Sequence, residues 1–63
     1  MKDRREKLYK ERKRRGLSLR KAASYIGIAT SSYTNIENGK RNPRLKTAEK
    51  ISDFFGIDIK DLI

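Results

Sequence analysis

The side chains best placed for chemistry are uncharged polar groups that lie between two basic stretches. Residues 22–36 carry no charge, whereas residues 1–21 hold eleven Lys or Arg against three acids, and residues 37–50 hold five against two. Basic side chains anchor phosphates, and the hydroxyl and amide groups between them can bond base edges. The net charge of +9 adds long-range attraction for polyanions. The pattern therefore indicates a protein that reads bases rather than a purely electrostatic binder.

The size and composition of the chain exclude several other classes. With 63 residues it has room for one domain, and for little beyond a core and one binding face. It contains no Cys and no His, so a disulfide framework is excluded and a zinc site would need carboxylates alone. No apolar run approaches the roughly 20 residues that span a bilayer, and the amino terminus does not resemble a signal peptide. We therefore expect a cytoplasmic protein without membrane contact, metal, cofactor or small-molecule substrate.

Four glycines divide the chain into segments whose apolar residues recur at helical spacing. They are Gly16, Gly27, Gly39 and Gly56. Asp3 with Glu6 offers a capping box for a first helix, and Ser18 is a good N-cap for a second helix over residues 19–25. A third helix is expected over residues 30–38.

The carboxyl-terminal third of the chain predicts two more helical segments. Pro43 precedes a fourth helix, on which one apolar stripe is expected. The stripe comprises Leu45, Ala48, Ile51 and Phe55. Asp58 can cap a last short turn over residues 59–63. The predicted fold is therefore all-α, with five short helices in a single domain of residues 1–63.

Residues 18–38 have the spacing of two short helices joined by a tight turn. Small Ala23 allows the helices to approach closely, and Gly27 permits the turn. Four apolar side chains would fix the crossing angle, at Ile26, Ile28, Tyr33 and Ile36. An ordinary αα-hairpin can share this spacing, but the basic flanks favour a helix-turn-helix.

Two stretches of the sequence resemble the Cro and phage-repressor (Xre-type) helix-turn-helix family. They are GLSLRKAASYIGI at residues 16–28 and IENGKRNP at residues 36–43, and the resemblance covers about residues 8–62. It implies a compact five-helix, lambda-repressor-like domain that acts as a homodimer on a palindromic double-stranded DNA operator, with its third helix in the major groove. The implied function is that of a small transcriptional regulator, which we expect to be a repressor.

The resemblance also implies roles for individual residues. The base-contacting positions are Thr30, Ser31 and Asn35, with Thr34 and Ser32 as neighbours. Asn35 is the first candidate, because an Asn side chain can pair with adenine through two hydrogen bonds and because Asn35 lies one turn after Ser31. The phosphate-contacting positions are Ser18, Leu19, Asn38, Lys40, Arg41 and Arg44. The alternative for each Ser or Thr is that it only hydrates a helix surface.

An ion pair is the third feature that the resemblance implies. Arg12 of the first helix would pair with Glu37, which otherwise would place an acid near DNA. The alternative is two unrelated surface charges. For Lys2, Arg4, Arg5 and Lys7 we expect only a solubilising role.

The sequence departs from the family pattern at three positions. Leu19 stands where many members have Gln, which removes one polar contact at the start of the second helix. Ala29 replaces the usual Ser or Thr cap of the third helix, which leaves the register of the first base contact open by one residue. Glu11 replaces an apolar residue, which thins the face of the first helix.

Two questions of partnership stay open at the level of sequence. Phe54 could form a dimer interface with Ile59 and Ile63, or it could fold under the first helix to supplement its sparse apolar face. The fold could also serve a protein-interaction module, such as an antitoxin-like or adaptor domain. An enzyme is not expected, because the carboxylates are few and no nucleophile has a nearby base.

Overall fold

The computed structural model describes residues 4–62, which form four α-helices and one short 3-10 turn. The helices are α1 (Glu6–Arg14), α2 (Leu19–Ile26), α3 (Thr30–Glu37) and α4 (Leu45–Phe55), and the 3-10 turn is Ile59–Asp61. No strand occurs within this range, so the all-α prediction is confirmed. No helix in residues 4–62 combines the length and the apolar character that a membrane span requires.

The predicted fifth helix over residues 59–63 is not confirmed as a helix. Asp58 does cap the segment, since its carboxylate accepts from the backbone N–H of Lys60 at 3.1 Å. The segment then makes only i to i+3 bonds and ends where Leu62 enters the core with 1% of its surface exposed. A 3-10 turn of three residues is the result. Ile63 lies outside the described residues.

Helix ends follow the local chemistry of caps and glycines. The hydroxyl of Ser18 accepts from the backbone N–H of Lys21 at 3.0 Å, which confirms it as the N-cap of α2. Gly27 ends α2 in the left-handed conformation, at φ +88°, which L side chains rarely adopt. Asp3 of the predicted capping box lies outside the described residues, and Arg5 is the N-cap of α1 without a side-chain cap bond.

The core lies where α2 and α3 cross and where α4 and the carboxyl-terminal segment cover them. Ala22 and Ala23 are fully buried, and their small side chains allow the close approach of the two helices. Tyr33 fills the space between α1 and α3 with no exposed surface. The other buried apolar residues are Leu8, Ile26, Ile36, Ala48, Ile51, Phe55, Ile57 and Leu62.

Leu45 is not part of the buried stripe of α4, and the prediction that it would be was wrong. It is 63% exposed, whereas Ala48, Ile51 and Phe55 are at most 3% exposed. A helix turns about 100° per residue, so each step of three residues falls about 60° short of a full turn. Because this angular difference accumulates along the helix, Leu45, the first residue of the stripe, points away from the core.

Candidate nucleic-acid interface

The outer face of α3 presents uncharged polar side chains. Tyr33, Ile36 and Glu37 point inward and are at most 2% exposed. At about 100° per residue, the direction opposite to these three falls between Ser31 and Asn35. Ser31 is exposed and Asn35 is half-buried, and they lie one turn apart on the same face. These two side chains are therefore the outermost hydrogen-bonding groups of the helix.

The start of α3 has a defined register although it lacks a polar cap. Ala29 is the N-cap, makes no side-chain cap bond, and accepts the backbone N–H of Tyr33 at 3.0 Å. Thr30 is thus the first helical residue, and its side chain is exposed. Thr34 donates its hydroxyl proton to the backbone oxygen of Thr30 at 2.8 Å. Thr34 can therefore offer a methyl group or an acceptor, but not a donor, to a ligand.

A tight turn links α3 to the basic loop, by which we mean residues 38–44. The backbone oxygen of Asn35 accepts from Lys40 N at 2.9 Å and from Arg41 N at 3.3 Å. Gly39 N donates to Ile36 O at 3.1 Å, and Gly39 has φ +76°. This pattern is a Schellman motif, in which a residue at positive φ closes the helix. The basic loop therefore begins at a position fixed by the same helix that carries Asn35.

The cationic side chains of the basic loop are exposed. Within residues 4–62, no carboxylate forms an ion pair with Lys40, Arg41 or Arg44. Arg41 and Arg44 line a groove of about 330 Å³ together with Ser32 of α3. The fold therefore brings free positive charge to one side of the uncharged helix face. Asn38, the C-cap of α3, is exposed at the start of the same loop.

The amino-terminal end of α2 supplies a second group of candidates. The hydroxyl oxygen of Ser18 is engaged in the cap, and Leu19 packs its half-buried side chain against the core. What this end can offer a ligand is the backbone N–H groups of its first turn, together with the positive end of the helix dipole. The polar groups that Ser18 and Leu19 leave available at this end are therefore backbone N–H groups.

A buried ion pair joins α1 to the last turn of α3. Arg12 donates from Nε and Nη2 to the two carboxylate oxygens of Glu37, each at 2.8 Å. Its Nη1 donates to Leu17 O at 2.7 Å, and the Tyr33 hydroxyl donates to Glu37 Oε1 at 2.8 Å. The hydrogen bonds to Glu37 raise the pKa of Arg12. The structure thus brings the two predicted partners together in a fully bonded cluster, and not as separate surface charges.

The arrangement of these helices can be compared with that of known proteins. A family model described as helix-turn-helix matches residues 8–62. The chain belongs to the Xre-type helix-turn-helix family. The match covers α2 and α3, which form the helix-turn-helix itself, and extends over most of α1, α4 and the 3-10 turn. The family resemblance inferred from the two sequence stretches is therefore confirmed.

Curated relatives of this helix-turn-helix chain include regulators from phages and bacteria. It is 35% identical, over 78% of its length, to the cryptic phage CTXphi transcriptional repressor RstR of Vibrio cholerae, of which it covers 44%. It is 36% identical, over 92% of its length, to the SPbeta prophage-derived uncharacterized HTH-type transcriptional regulator YonR of Bacillus subtilis, of which it covers 54%. It is 44% identical, over 89% of its length, to the control protein C.MunI of a Mycoplasma species, of which it covers 77%. The chain therefore spans about half the length of the first two relatives.

Arg5 is a residue of this helix-turn-helix domain that sequence reasoning missed. It was expected only to solubilise the surface, and that expectation was wrong. Its guanidinium bonds Ile36 O, Arg41 O and Asn42 Oδ1, which lie at least 31 residues away. No local pattern could have indicated this, because the acceptors are mostly backbone oxygens. Lys7, by contrast, makes only an exposed pair with Asp61 at 3.1 Å.

Of the predicted dimer residues, Phe54 and Ile59 lie within the described part of the chain, and Ile63 lies outside it. Phe54 is half-buried and stacks on the 62% exposed ring of Tyr25, with ring centroids 5.5 Å apart. The guanidinium of Arg15 lies 5.3 Å from the Phe54 ring. Ile59 packs against the core as a partly buried residue. Phe54 thus joins the ends of α1 and α2, and it does not lie alone on the surface.

Tyr33→Phe is expected to lower the free energy of unfolding by about 1–3 kcal/mol at pH 7, because buried Glu37 loses one donor. Burial, followed by the hydrogen bond to Glu37, raises the pKa of Tyr33. In the unfolded chain a tyrosine loses its proton near pH 10. The contribution of Tyr33 is therefore complete below pH 10 and declines as the pH rises above that value, by at most about 1.4 kcal/mol per pH unit.

Thermal unfolding of the wild type and of Tyr33→Phe between about pH 7 and pH 11 tests this dependence. The lysines titrate in the same way in the two proteins, so their contribution cancels in the comparison. The stability gap between wild type and Tyr33→Phe should narrow above pH 10. A gap that stays constant over the whole range would contradict a raised pKa of Tyr33.

Proposed function

We propose that the chain is a small transcriptional regulator, acting as a repressor, that binds double-stranded DNA by sequence with α3 in the major groove. One observation carries the proposal: the uncharged polar face of α3 lies beside the exposed cations of the basic loop. Base edges are read by neutral hydrogen-bonding groups, whereas phosphates are held by cations and backbone N–H groups. The membership of the helix-turn-helix family supports the same function.

In this proposal, the side chains on the outer face of α3 contact the bases. Asn35 can accept from and donate to adenine in a bidentate pair, and Ser31, one turn earlier, can bond an adjacent base. Thr30 lies at the amino-terminal end of the helix, which in helix-turn-helix proteins points at the base edges. Thr34, with its hydroxyl bonded to the helix backbone, would contribute its methyl group against a thymine methyl.

Phosphate binding falls to the two flanks of α3. On one side the basic loop offers Lys40, Arg41 and Arg44 together with the amide of Asn38. On the other side the first turn of α2, at Ser18 and Leu19, offers backbone N–H groups at the positive end of a helix dipole. Contacts on both flanks would fix the depth and the register of α3 in the groove.

Binding to a duplex should weaken steeply with salt. If the three cations of the basic loop each neutralise one phosphate, the slope of log K against log[salt] is about −2.7 per protomer, at about −0.9 for each phosphate. Arg44→Gln should make the slope shallower by about 0.9. Lys60→Gln is the matched control, because Lys60 is exposed on the 3-10 turn and should leave the slope unchanged. Fluorescence anisotropy across a salt series measures the slopes of the wild type and of both variants. A wild-type affinity that does not change with salt would contradict the proposal.

A homodimer on a palindromic operator is part of the same proposal. A two-fold homodimer would present two copies of α3 about 34 Å apart, one helical turn of DNA, and would match a palindromic operator. Phe54 and Ile59 supply the apolar groups for that contact, and Ile63 would join them. If sedimentation finds one protomer on a palindromic duplex at every concentration, the proposed homodimer is contradicted. A cytoplasmic location accords with a DNA-bound regulator.

A further inference from the structure

Arg5 joins parts of the chain that are distant in sequence. As the N-cap of α1 it donates its backbone N–H to Glu37 O at 2.8 Å. Its guanidinium donates to Ile36 O, to Arg41 O at 3.3 Å and to Asn42 Oδ1 at 2.5 Å. One residue therefore contacts the start of α1, the last turn of α3 and the basic loop.

Two of the oxygens that Arg5 bonds, Ile36 O and Glu37 O, belong to the last turn of α3. The last carbonyls of a helix have no acceptor role inside it, and they form the negative end of its dipole, where a cation is favourable. A guanidinium presents several donors in a fixed fork and can bond more than one acceptor at once, whereas a lysine ammonium is a compact point charge. Arg5 is thus suited to hold the end of α3 and the basic loop in one relative position.

We propose that Arg5 is a positioning residue for DNA binding, which holds the basic loop so that Lys40, Arg41 and Arg44 meet the DNA backbone together. Three protein acceptors engage the two terminal nitrogens of Arg5, so its proposed role is to hold the loop and not to bind a phosphate itself. The proposal rests on the function proposed above for the basic loop. It makes the segment before α1 part of the DNA-binding apparatus, although that segment lies 31 residues or more from the acceptors that it fixes.

A comparison of Arg5→Met with Arg4→Met distinguishes a positioning role of Arg5 from the effect of losing one positive charge. Both variants remove one positive charge at neighbouring positions, but Arg4 pairs with Glu6 at 3.0 Å and lies over the Tyr9 ring, away from the basic loop. Arg5→Met should lose about tenfold more affinity for a selected duplex than Arg4→Met, the scale of one hydrogen-bonded charge. Its salt slope should also become shallower by more than about 0.9, that is, by more than one phosphate. Arg5→Lys should recover only part of both losses.

A purely structural role would lower the melting temperature of Arg5→Met and leave the salt slope of the folded protein unchanged. A slope equal to that of Arg4→Met therefore overturns the proposal. Hydrogen exchange in the free protein provides a test that does not involve DNA. In Arg5→Met, the amides of Lys40 and Arg41, which bond Asn35 O, should exchange about tenfold faster, while the amides of α4 stay protected.

Unchanged exchange at Lys40 and Arg41 would overturn the proposal, whatever the DNA results are. If the wild-type chain binds no duplex in a sequence-dependent way, the proposed function fails. Hydrogen exchange distinguishes failure of the proposed function from failure of the role of Arg5. It shows whether Arg5 stabilises the basic loop without any measurement on DNA.

Discussion

Arg12→Met is expected to lower the free energy of unfolding by about 3–5 kcal/mol, because it leaves the Glu37 carboxylate buried without its cation. The two side chains are only 9% and 3% exposed, so water cannot replace the lost bonds. A chain of 63 residues has a total stability of roughly 3–9 kcal/mol, at about 0.05–0.15 kcal/mol per residue. The variant should therefore lose roughly a third or more of the total stability, which circular dichroism during urea or thermal denaturation measures.

Two further variants keep this expectation testable if Arg12→Met does not fold. Arg14→Met removes the same charge from an exposed pair with Glu11 and should cost about 0–1 kcal/mol. Arg12→Lys retains a cation but cannot bond both oxygens of Glu37 and Leu17 O together, so its stability should lie between the two. A melting temperature of Arg12→Met equal to that of Arg14→Met would contradict the structural role assigned to the pair.

Asn35→Ala is expected to flatten the base preference at one position of the DNA site, with a loss of about 1–3 kcal/mol of discrimination there. Asn35 and Ser31 point away from the core, and the amide of Asn35 can pair with adenine through two hydrogen bonds. Truncation leaves the basic loop intact, so affinity for unrelated DNA should hardly change. Selections from the same random pool with wild type and variant compare the preference position by position.

Asn38→Ala is the matched control for that experiment. Asn38 has the same side chain and lies exposed at the C-cap of the same helix, as the first residue of the basic loop. Its truncation should weaken binding to all sequences alike and leave the preference profile unchanged. An Asn35→Ala profile indistinguishable from that of wild type would remove Asn35 from the base-reading set.

The local features of the fold could be predicted from sequence because their causes are local. Ser18 caps α2 and the left-handed Gly27 ends it, as side-chain type and turn chemistry require. The charge pattern located the candidate interface, since the uncharged segment of 22–36 contains all of α3 except Glu37. The structure adds that this helix and the basic loop share a Schellman turn.

The features that could not be predicted depend on tertiary context. The exposure of Leu45 depends on which side of α4 meets the core, which spacing alone does not fix within one turn. Arg5 bonds oxygens of the last turn of α3 and of the basic loop, which come near it only in the folded chain. Glu11, which replaces an apolar residue, is half-buried and pairs with Arg14 and with Arg15 at 3.2 Å, so the thin face of α1 is supplemented by ion pairs.

Selection of bound duplexes from a random DNA pool tests the central claim most directly. If α3 reads the major groove, repeated rounds at moderate salt should enrich one motif, and a two-fold dimer should make it palindromic with half-sites about one helical turn apart. The salt series on that motif should then show tighter binding than on shuffled duplexes by about 10³-fold or more. A pool without any enriched sequence, bound only through salt-sensitive nonspecific attraction, would contradict the claim.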